Sequence, residues 1–398
     1  MRQVSLEDKY LSDHDRVYLT GIQALVRLAL VQRRRDATNG LNTAGFISGY
    51  RGSPLGGLDE ALWKAKKHLE AHHIKFQPGI NEELAATAVW GSQQVEMLGE
   101  SKYDGVFAMW YGKGPGVDRC GDVFKHMNFA GTSKHGGVLL VAGDDHGAYS
   151  SSLPHQSDHL FAASMIPVLY PCNVQEYVEL GLHGWAMSRF SGCAVGFKAL
   201  SDTVESSASI EADPFHVKTL VPTDFAMPEE GLNYRLSNEP LGLQARKQEA
   251  LLQDYKIYAA MAYARLNKIN RTTIDSPQAR LGIIASGKSY MDVLEALEEL
   301  GITEEKAAQI GIRVFKVSMP WPLEPDGVRE FSKGLDEILV VEEKRQVVEY
   351  QLKEHLYNWH PDVRPRVIGK FDDQGEWVHP RGEWLLPAKA DFSIAQIA

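Results

Sequence analysis

Two adjacent carboxylates, Glu82 and Glu83, open the segment GINEELAATAVWGSQQ and are the residues best placed for acid–base chemistry. Asn81 before them is a good helix N-cap, and acidic side chains suit a first helical turn. The alanines and the glycine that follow are small enough for close packing. A carboxylate in that position can exchange a proton with a bound ligand. The alternative is that both glutamates only satisfy the helix dipole.

A glycine-rich turn in the segment GYRGSPLGGLDE lies upstream of the carboxylates. Residues 44–50 predict a strand, Gly52 and Ser53 its turn, and Pro54 the first position of a helix. Arg51 and Ser53 lie at the carboxyl end of this strand, where an oxo-acid can bind.

A second glycine segment, Gly112-Lys113-Gly114-Pro115-Gly116, follows a predicted strand but lacks the G-x-G-x-x-G dinucleotide spacing. Lys113 can neutralise a ligand carboxylate if the backbone approaches closely. A plain tight turn explains the segment equally well.

The polar loop GDDHGAYSSSLPHQSDH follows the predicted strand 137–142, at the sheet edge where ligands of α/β proteins bind. Its candidate substrate-binding residues are Asp145, His146, Ser151 and His155. The aspartates and histidines also permit a metal site, although glutamine replaces the glutamate of a zinc-protease helix. A ligand loop, a metal site and a solvated loop all remain open.

A P-loop expression, G-x-x-x-x-G-K-S/T, is matched in full by GIIASGKS at 282–289. The two isoleucines after Gly282 place that glycine inside a strand, so the remaining loop is too short to cradle two phosphates. We therefore reject a nucleotide site here.

Composition predicts a cytoplasmic globular enzyme. The net charge of −10 argues against a nucleic-acid surface. The three cysteines are far apart and none has CxxC spacing, which fits a reducing compartment and excludes a zinc ribbon or iron–sulfur cluster held by this chain alone. The longest apolar run near the start is interrupted by Arg27, so we expect an amphipathic helix and no membrane span.

The alternation of strands and helices predicts an α/β protein with two doubly wound, mostly parallel-sheet domains, at 1–200 and 276–366. Two domains also suit the length of 398 residues. Residues 201–275 are rich in proline and end in a long helix, predicted over 243–267, that acts as a strut. Residues 367–398 are interpreted as a linker leaving the second domain.

Together these segments resemble indolepyruvate ferredoxin oxidoreductase, a thiamine-diphosphate 2-oxoacid oxidoreductase, and most closely the N-terminal part of its long, fused bacterial form. The resemblance covers nearly all of the chain. Its motifs are GYRGSP, NEELA, GDDHGAYSSSLPHQSDH, IPVLYPCNVQEY, GIIASGKSY and VIGKFDDQGEW. It implies a pyrimidine-binding thiamine-enzyme domain followed by a transketolase-C-like domain.

The resemblance also implies a cofactor and site residues. Glu82 would be the catalytic carboxylate that bonds the aminopyrimidine of thiamine diphosphate, beside the turn Gly52, Ser53 and Pro54. Ser53 would also face the substrate carbonyl. Arg51, Lys113 and the loop 144–159 would position the carboxylate of an aryl 2-oxoacid such as indolepyruvate.

The reaction implied by the resemblance is oxidative decarboxylation to an acyl-coenzyme A. Electrons would pass through iron–sulfur clusters, held outside this chain, to ferredoxin. The expected partners are diphosphate-binding and gamma-like domains or subunits, ferredoxin, coenzyme A and a second copy of the chain, with no nucleic acid and no membrane.

The sequence lacks the motif with which thiamine enzymes bind the diphosphate of the cofactor. Those enzymes hold it through Mg²⁺ on a G-D-G…N motif, and this sequence contains no G-D-G. We therefore expect the diphosphate half on another domain, and we interpret the chain as a fragment or split subunit with half of an active site. The alternative is a non-catalytic assembly or regulatory subunit of a thiamine enzyme.

Overall fold

The computed structural model describes residues 5–235, 239–372 and 384–398. Its strands are β1 (Arg16–Thr20), β2 (Thr43–Gly49), β3 (Ile74–Phe76), β4 (Gly105–Lys113), β5 (Val138–Asp144), β6 (Val168–Leu169), β7 (Val195–Leu200), β8 (Ser207–Glu211), β9 (Arg271–Ile274), β10 (Leu281–Ser286), β11 (Ile312–Val317), β12 (Glu337–Val341) and β13 (Arg366–Ile368).

The helices divide between the two halves of the chain. In the first half they are α1 (Asp8–Leu11), α2 (Gly21–Thr38), α3 (Leu58–Lys64), α4 (Lys66–Ala71), α5 (Glu82–Ser92), a 3₁₀ turn (Val95–Leu98), α6 (Gly114–Arg119), α7 (Gly121–Ala130), α8 (Asp158–Ala163), α9 (Val174–Ser191) and α10 (Ser201–Val204). Further on they are α11 (Leu241–Leu251), a π turn (Leu252–Lys256), α12 (Ile257–Leu266), α13 (Lys288–Glu299), α14 (Glu304–Ile310), α15 (Pro325–Ser332), α16 (Val348–Leu356) and α17 (Ile394–Ile397).

The two main sheets, each covered by helices, form the cores of two domains. The first sheet is parallel, in the order β3-β2-β4-β5-β7-β6, and the second has the order β13-β12-β10-β11-β9 with β9 antiparallel. An antiparallel ribbon of β1 and β8 was not predicted. The central strands are buried along their whole length, which explains their continuous apolar runs. The predicted fold class is therefore confirmed.

Helix starts follow the capping residues that the sequence offers. Thr20 and Gln23 form a capping box at the start of α2, and the Asn81 side chain accepts a hydrogen bond of 2.8 Å from the Leu84 amide at the start of α5. The prediction that a helix starts at Pro54 was wrong, because α3 begins at Leu58. Leu55 is fully buried in the core, so the chain turns inward before the helix starts.

The predicted strut helix 243–267 is a kinked rod of α11, the π turn and α12. Helix α12 packs on α9, whereas α11 buries none of its residues. Helix α11 also contacts α7, so both halves of the rod lie against the first domain, but only α12 is buried there.

The tail does not leave the second domain as the predicted linker would. Strand β13 adds to that sheet beside β12, and Phe371, Leu386 and Phe392 are buried. Helix α17 packs against α13. Apolar side chains spaced along the described tail anchor it to the sheet. The last five residues of the VIGKFDDQGEW motif, 373–377, lie outside the described residues.

The two domains meet along the β6 edge of the first sheet. The Val168 amide donates to the Trp321 carbonyl at 2.7 Å, and the Tyr170 amide donates to the Ser318 carbonyl at 2.8 Å. A buried ion pair joins Lys316 to Glu176 nearby. No helix within the described residues is long and apolar enough to cross a membrane.

Arg189 should stabilise the first domain through a buried pair with Asp36 at 2.7 Å. We expect Arg189→Met to lower the free energy of unfolding by about 3–5 kcal/mol, because the Asp36 carboxylate stays buried without its counter-charge. Arg280 is the matched control, since its 2.7 Å pair with Asp336 is 79% and 61% exposed. Arg280→Met should cost less than about 1 kcal/mol. Urea denaturation compares the two, and equal losses would contradict the assignment.

Candidate functional site

Three of the predicted segments meet at the carboxyl edge of the first sheet. Strand β4 lies between β2 and β5, with Gly49 beside Tyr111 and Lys113 beside Gly143. The turn after β2, the link from β4 to α6 and the polar loop after β5 therefore leave the sheet side by side. This is the edge at which parallel α/β sheets bind ligands.

Glu82 begins α5 at this edge and is only 4% exposed. Its backbone carbonyl accepts a hydrogen bond of 3.0 Å from the Trp110 indole, which ties α5 to β4. A β-carbon at Gly116 would lie 2.6 Å from Cγ of Glu82, so only glycine fits there. Arg119 of α6 lies 3.8 Å from the Glu82 carboxylate and 3.4 Å from that of Glu83.

The Glu82 carboxylate differs from the other buried carboxylates of the described residues. Each of those accepts at least one hydrogen bond. They are Asp36, Asp144, Asp145, Asp158, Glu176, Asp292, Glu324, Glu342, Glu343 and Glu349. Glu82 alone accepts none on its side-chain oxygens from the described residues. A buried polar group without a hydrogen bond calls for an explanation, and a ligand partner is one.

The turn Arg51–Pro54 packs between the other two segments. A β-carbon at Gly52 would lie 2.8 Å from Cδ of Lys113. The Ser53 hydroxyl is hydrogen-bonded to that of Ser150, and the Ser53–Pro54 peptide is cis. The Ser151 hydroxyl lies 3.5 Å from the Ser53 carbonyl. The predicted residues Arg51, Gly52, Ser53, Pro54, Lys113 and Ser151 are thus gathered at one edge.

Two predicted loop residues make structural contacts instead of facing this edge. The Asp145 carboxylate accepts hydrogen bonds from the amides of Tyr149 and Ser150 at 3.0 and 2.9 Å, so it holds the loop in shape. Burial opposes ionisation of Asp145, but these bonds outweigh it and lower its pKa.

His146 is 2% exposed and its Nδ1 lies 2.5 Å from Glu343 of the second domain. Burial raises the pKa of Glu343, yet His146 and Lys288 together lower it to about 2. His146 therefore joins the two domains. That Asp145 and His146 bind substrate stays a prediction, and the contacts of the Asp145 carboxylate and of His146 Nδ1 within the protein do not favour it.

His155 is close to the edge and has a hydrogen-bond partner on one ring nitrogen only. Its Nε2 lies 2.8 Å from the Asp118 carboxylate, and its Nδ1 lies 3.4 Å from the fully buried carboxylate of Asp144. A β-carbon at Gly114 would lie 2.2 Å from Cγ of the imidazole. Its predicted use as a substrate-binding residue is therefore not supported by its contacts.

The residues of the P-loop expression are occupied by contacts within the protein. Gly282 lies within β10, and Tyr170 packs on Gly287, whose β-carbon would lie 2.2 Å from the ring. Lys288 pairs with Asp292 at 2.7 Å and with Glu343 at 3.4 Å. These contacts agree with the rejection of a nucleotide site.

The described residues contain no group of three or more His, Cys, Asp or Glu side chains arranged to hold a metal ion. The three cysteines are buried free thiols. Asp118 and Arg119 were missed in the sequence because Gly-Pro-Gly resembles a turn. Proline in the first turn of a helix was the signal that α6 begins there.

Comparisons with known proteins agree with this architecture. Residues 270–398 match the family model described as indolepyruvate ferredoxin oxidoreductase middle domain. Indolepyruvate oxidoreductase subunit IorA of Methanothermobacter marburgensis is 26% identical, with 90% of this chain and 51% of that protein aligned. The Pyrococcus horikoshii subunit IorA is also 26% identical, over 89% and 49%. The chain spans about half the length of these curated relatives.

Two solved structures share the fold. A 2-oxoglutarate:ferredoxin oxidoreductase from Magnetococcus marinus, solved with 2-oxoglutarate, coenzyme A and succinyl-CoA, superposes with a TM-score of 0.63 at 15% identity, covering 89% of this chain and 62% of that one. A split-gene transketolase, an inactive beta4 tetramer, superposes with a TM-score of 0.53 at 12% identity, covering 95% of both chains.

The resemblance inferred from the sequence is thereby confirmed: the chain is similar in sequence to the indolepyruvate oxidoreductase IorA subunits, and residues 270–398 match the model of the indolepyruvate ferredoxin oxidoreductase middle domain.

Proposed function

We propose that this chain supplies the pyrimidine-binding half of the active site of a thiamine-diphosphate-dependent 2-oxoacid:ferredoxin oxidoreductase. The observation that carries the proposal is the buried Glu82 carboxylate, which accepts no hydrogen bond from the described residues. The aminopyrimidine of thiamine diphosphate offers the partner that such a carboxylate lacks. The chemistry of this carboxylate therefore fits the cofactor that the family resemblance implies.

Glu82 would hold a proton at its carboxylate and share it with the pyrimidine ring of the cofactor. The Asn81 cap and the Trp110 hydrogen bond fix the start of α5 and therefore the position of this carboxylate. When bound, thiamine diphosphate supplies the nucleophilic carbon and the electron sink that decarboxylation of a 2-oxoacid needs. The protein would position the cofactor and provide the charged side chains around it.

Substrate binding would use the turn and the link beside Glu82. Arg51 is exposed and Lys113 half-buried, and neither forms an ion pair with another described residue, so both are available to a substrate carboxylate. Ser53 and Ser151 offer hydroxyl groups for the oxo group. An aryl 2-oxoacid such as indolepyruvate is our proposed substrate, supported by the names of the curated relatives.

The diphosphate and its Mg²⁺ would be held by another domain or subunit. The segments that meet at this edge carry large apolar side chains in exposed positions: Tyr50, Ile80, Leu84 and Leu153. Such a patch next to a polar site is typical of a protein interface. We propose that diphosphate-binding and gamma-like partners, a second copy of the chain, coenzyme A and ferredoxin complete a cytoplasmic enzyme, with iron–sulfur clusters on the partners.

The non-catalytic alternative does not explain Glu82. An assembly subunit has no reason to retain a buried carboxylate without a hydrogen bond, since such burial is costly. The burial of Glu82 thus favours the catalytic proposal.

A titration tests whether this chain holds half of a cofactor site. Thiamine diphosphate with Mg²⁺ is titrated calorimetrically into the chain alone and into its mixture with a polypeptide that carries the diphosphate half. We expect binding in the mixture only, because the sequence lacks the G-D-G motif that holds the diphosphate through Mg²⁺ in thiamine enzymes. Absence of binding in the mixture would contradict the proposal and favour the non-catalytic subunit.

Glu82→Gln should abolish turnover in the assembled enzyme, by at least about a hundredfold in kcat, because the amide cannot exchange a proton with the pyrimidine. Glu83→Gln is the matched control. Glu83 shares the same helical turn, but its side chain is 46% exposed. We expect Glu83→Gln to stay within a few-fold of wild type, and similar losses for both variants would contradict the assignment.

Glu82→Gln should also stabilise the fold, by about 0.5–2 kcal/mol, because it replaces a buried carboxylate that accepts no hydrogen bond and whose 3.8 Å pair with the 55% exposed Arg119 offsets little of the cost of burial. Glu324 is an equally buried comparison at 4% exposure, but it accepts hydrogen bonds from two backbone amides at 2.9 and 2.7 Å. Glu324→Gln should therefore destabilise the protein by about 1 kcal/mol. If urea denaturation showed that both substitutions change the free energy of unfolding in the same direction, the Glu82 carboxylate would not differ from a hydrogen-bonded one.

A further inference from the structure

His155 connects the polar loop to helix α6. On one side its Nε2 lies 2.8 Å from the carboxylate of Asp118, which belongs to α6. On the other side its Nδ1 lies 3.4 Å from the carboxylate of Asp144, at the end of β5. The imidazole also fills the space above Gly114, where no β-carbon fits. The ring therefore touches α6 at two points and the sheet at one.

Asp144, which this connection reaches at the end of β5, is itself held firmly in place. It is fully buried, and it accepts hydrogen bonds from the amide and the hydroxyl of Ser157 at 2.9 and 2.6 Å. Lys198 lies 3.6 Å away and is itself paired with Asp158 at 2.6 Å. Burial opposes ionisation of Asp144, but His155, Lys198 and Ser157 lower its pKa to about 2.

The two neighbouring carboxylates favour the protonated form of the ring. Burial lowers the pKa of His155, but the carboxylates of Asp144 and Asp118 outweigh burial and raise the pKa above its usual value. A charged imidazole between two carboxylates binds both more strongly than a neutral ring would.

Helix α6 is also the element that closes over Glu82. Gly116 lies against the Glu82 side chain, and Arg119 reaches the carboxylates of both Glu82 and Glu83. Helix α6 has only six residues, Gly114–Arg119, so its own hydrogen bonds hold it weakly. Its position therefore depends on contacts such as the one with His155.

We propose that His155 is a positioning residue for Glu82: it ties α6 to the buried Asp144 and so fixes Gly116 and Arg119 against the Glu82 carboxylate. This inference rests on the proposed function of Glu82. It differs from the earlier expectation that His155 binds the substrate, because Nε2 is hydrogen-bonded to Asp118 and Nδ1 faces the buried Asp144 carboxylate at 3.4 Å.

The first test is a double-mutant cycle followed by hydrogen exchange in the full chain without cofactor. We expect His155→Gln and Asp118→Ala each to speed amide exchange over residues 114–120 about tenfold, and the double variant to add nothing further, because both remove one shared contact. Independent, multiplying effects or unchanged exchange would overturn the proposal.

A matched control pair lies on the neighbouring helix. His126 and Asp122 of α7 form an exposed contact of 3.6 Å, with side chains 64% and 88% exposed. His126→Gln and Asp122→Ala should leave exchange over residues 114–120 unchanged. Faster exchange in these controls would mean that α6 responds to any change nearby, which would count against a specific contact.

The second test measures the cofactor in the assembled complex. His155→Gln should raise the Kd of thiamine diphosphate and weaken the circular-dichroism band of its iminopyrimidine form, while the KM for the oxo-acid stays the same. Asp118→Glu, which keeps the carboxylate, should retain more of the signal than Asp118→Ala. A raised KM with unchanged cofactor binding would instead make His155 a substrate residue and overturn the proposal.

The two tests separate this inference from the proposed function. If the wild-type complex binds no thiamine diphosphate, the proposed function fails and the link to the cofactor fails with it. The exchange experiment then still decides whether His155 fixes α6 beside Glu82.

Discussion

A carboxylate that leaves water without gaining a hydrogen bond costs several kcal/mol, and the first domain is built to tolerate that cost at Glu82. The Asn81 cap sets where α5 begins, and Trp110 binds its first carbonyl. Gly116 lets α6 approach the side chain to a distance that any β-carbon would prevent. The carboxylate is therefore held in place by backbone and packing, which leaves its oxygens available to a ligand.

The second domain supports this edge from the other side. Gln156 of the polar loop exchanges two hydrogen bonds with the backbone of Arg345, at 2.9 and 3.1 Å. The contact of His146 with Glu343 adds a buried pair in the same region. The loop that carries His155 is thus fixed between the two sheets. Separation of the domains would release the loop and, through it, α6.

The sequence was most informative where burial is continuous or where a helix begins. Strands β2, β4 and β5 were placed within a few residues, because strands covered on both faces appear as apolar runs. Glu82 was found because Asn81 marks the start of its helix. The short strands β3 and β13 were missed because three residues carry too little periodicity to be detected.

The loop residues show why the rest was not predictable. Composition identifies a polar loop but not which side chains face inward. The partner of His146 lies almost two hundred residues away in the chain, at Glu343. The partners of His155 are on α6 and at the end of β5, and α6 itself was taken for a turn. Such assignments depend on contacts between distant segments, and local patterns do not contain them.

The charge of the protein gives the candidate site its own electrostatic character. The chain carries a net charge of −10, which repels anions at long range. At the carboxyl edge, however, Arg51 and Lys113 form no ion pair with described residues, and Arg119 is shared between two carboxylates. A local cationic region within an acidic surface concentrates a small anion at one place. Under the proposed function the substrate is a 2-oxoacid, and Arg51 and Lys113 would then direct this anion to the edge where Glu82 lies.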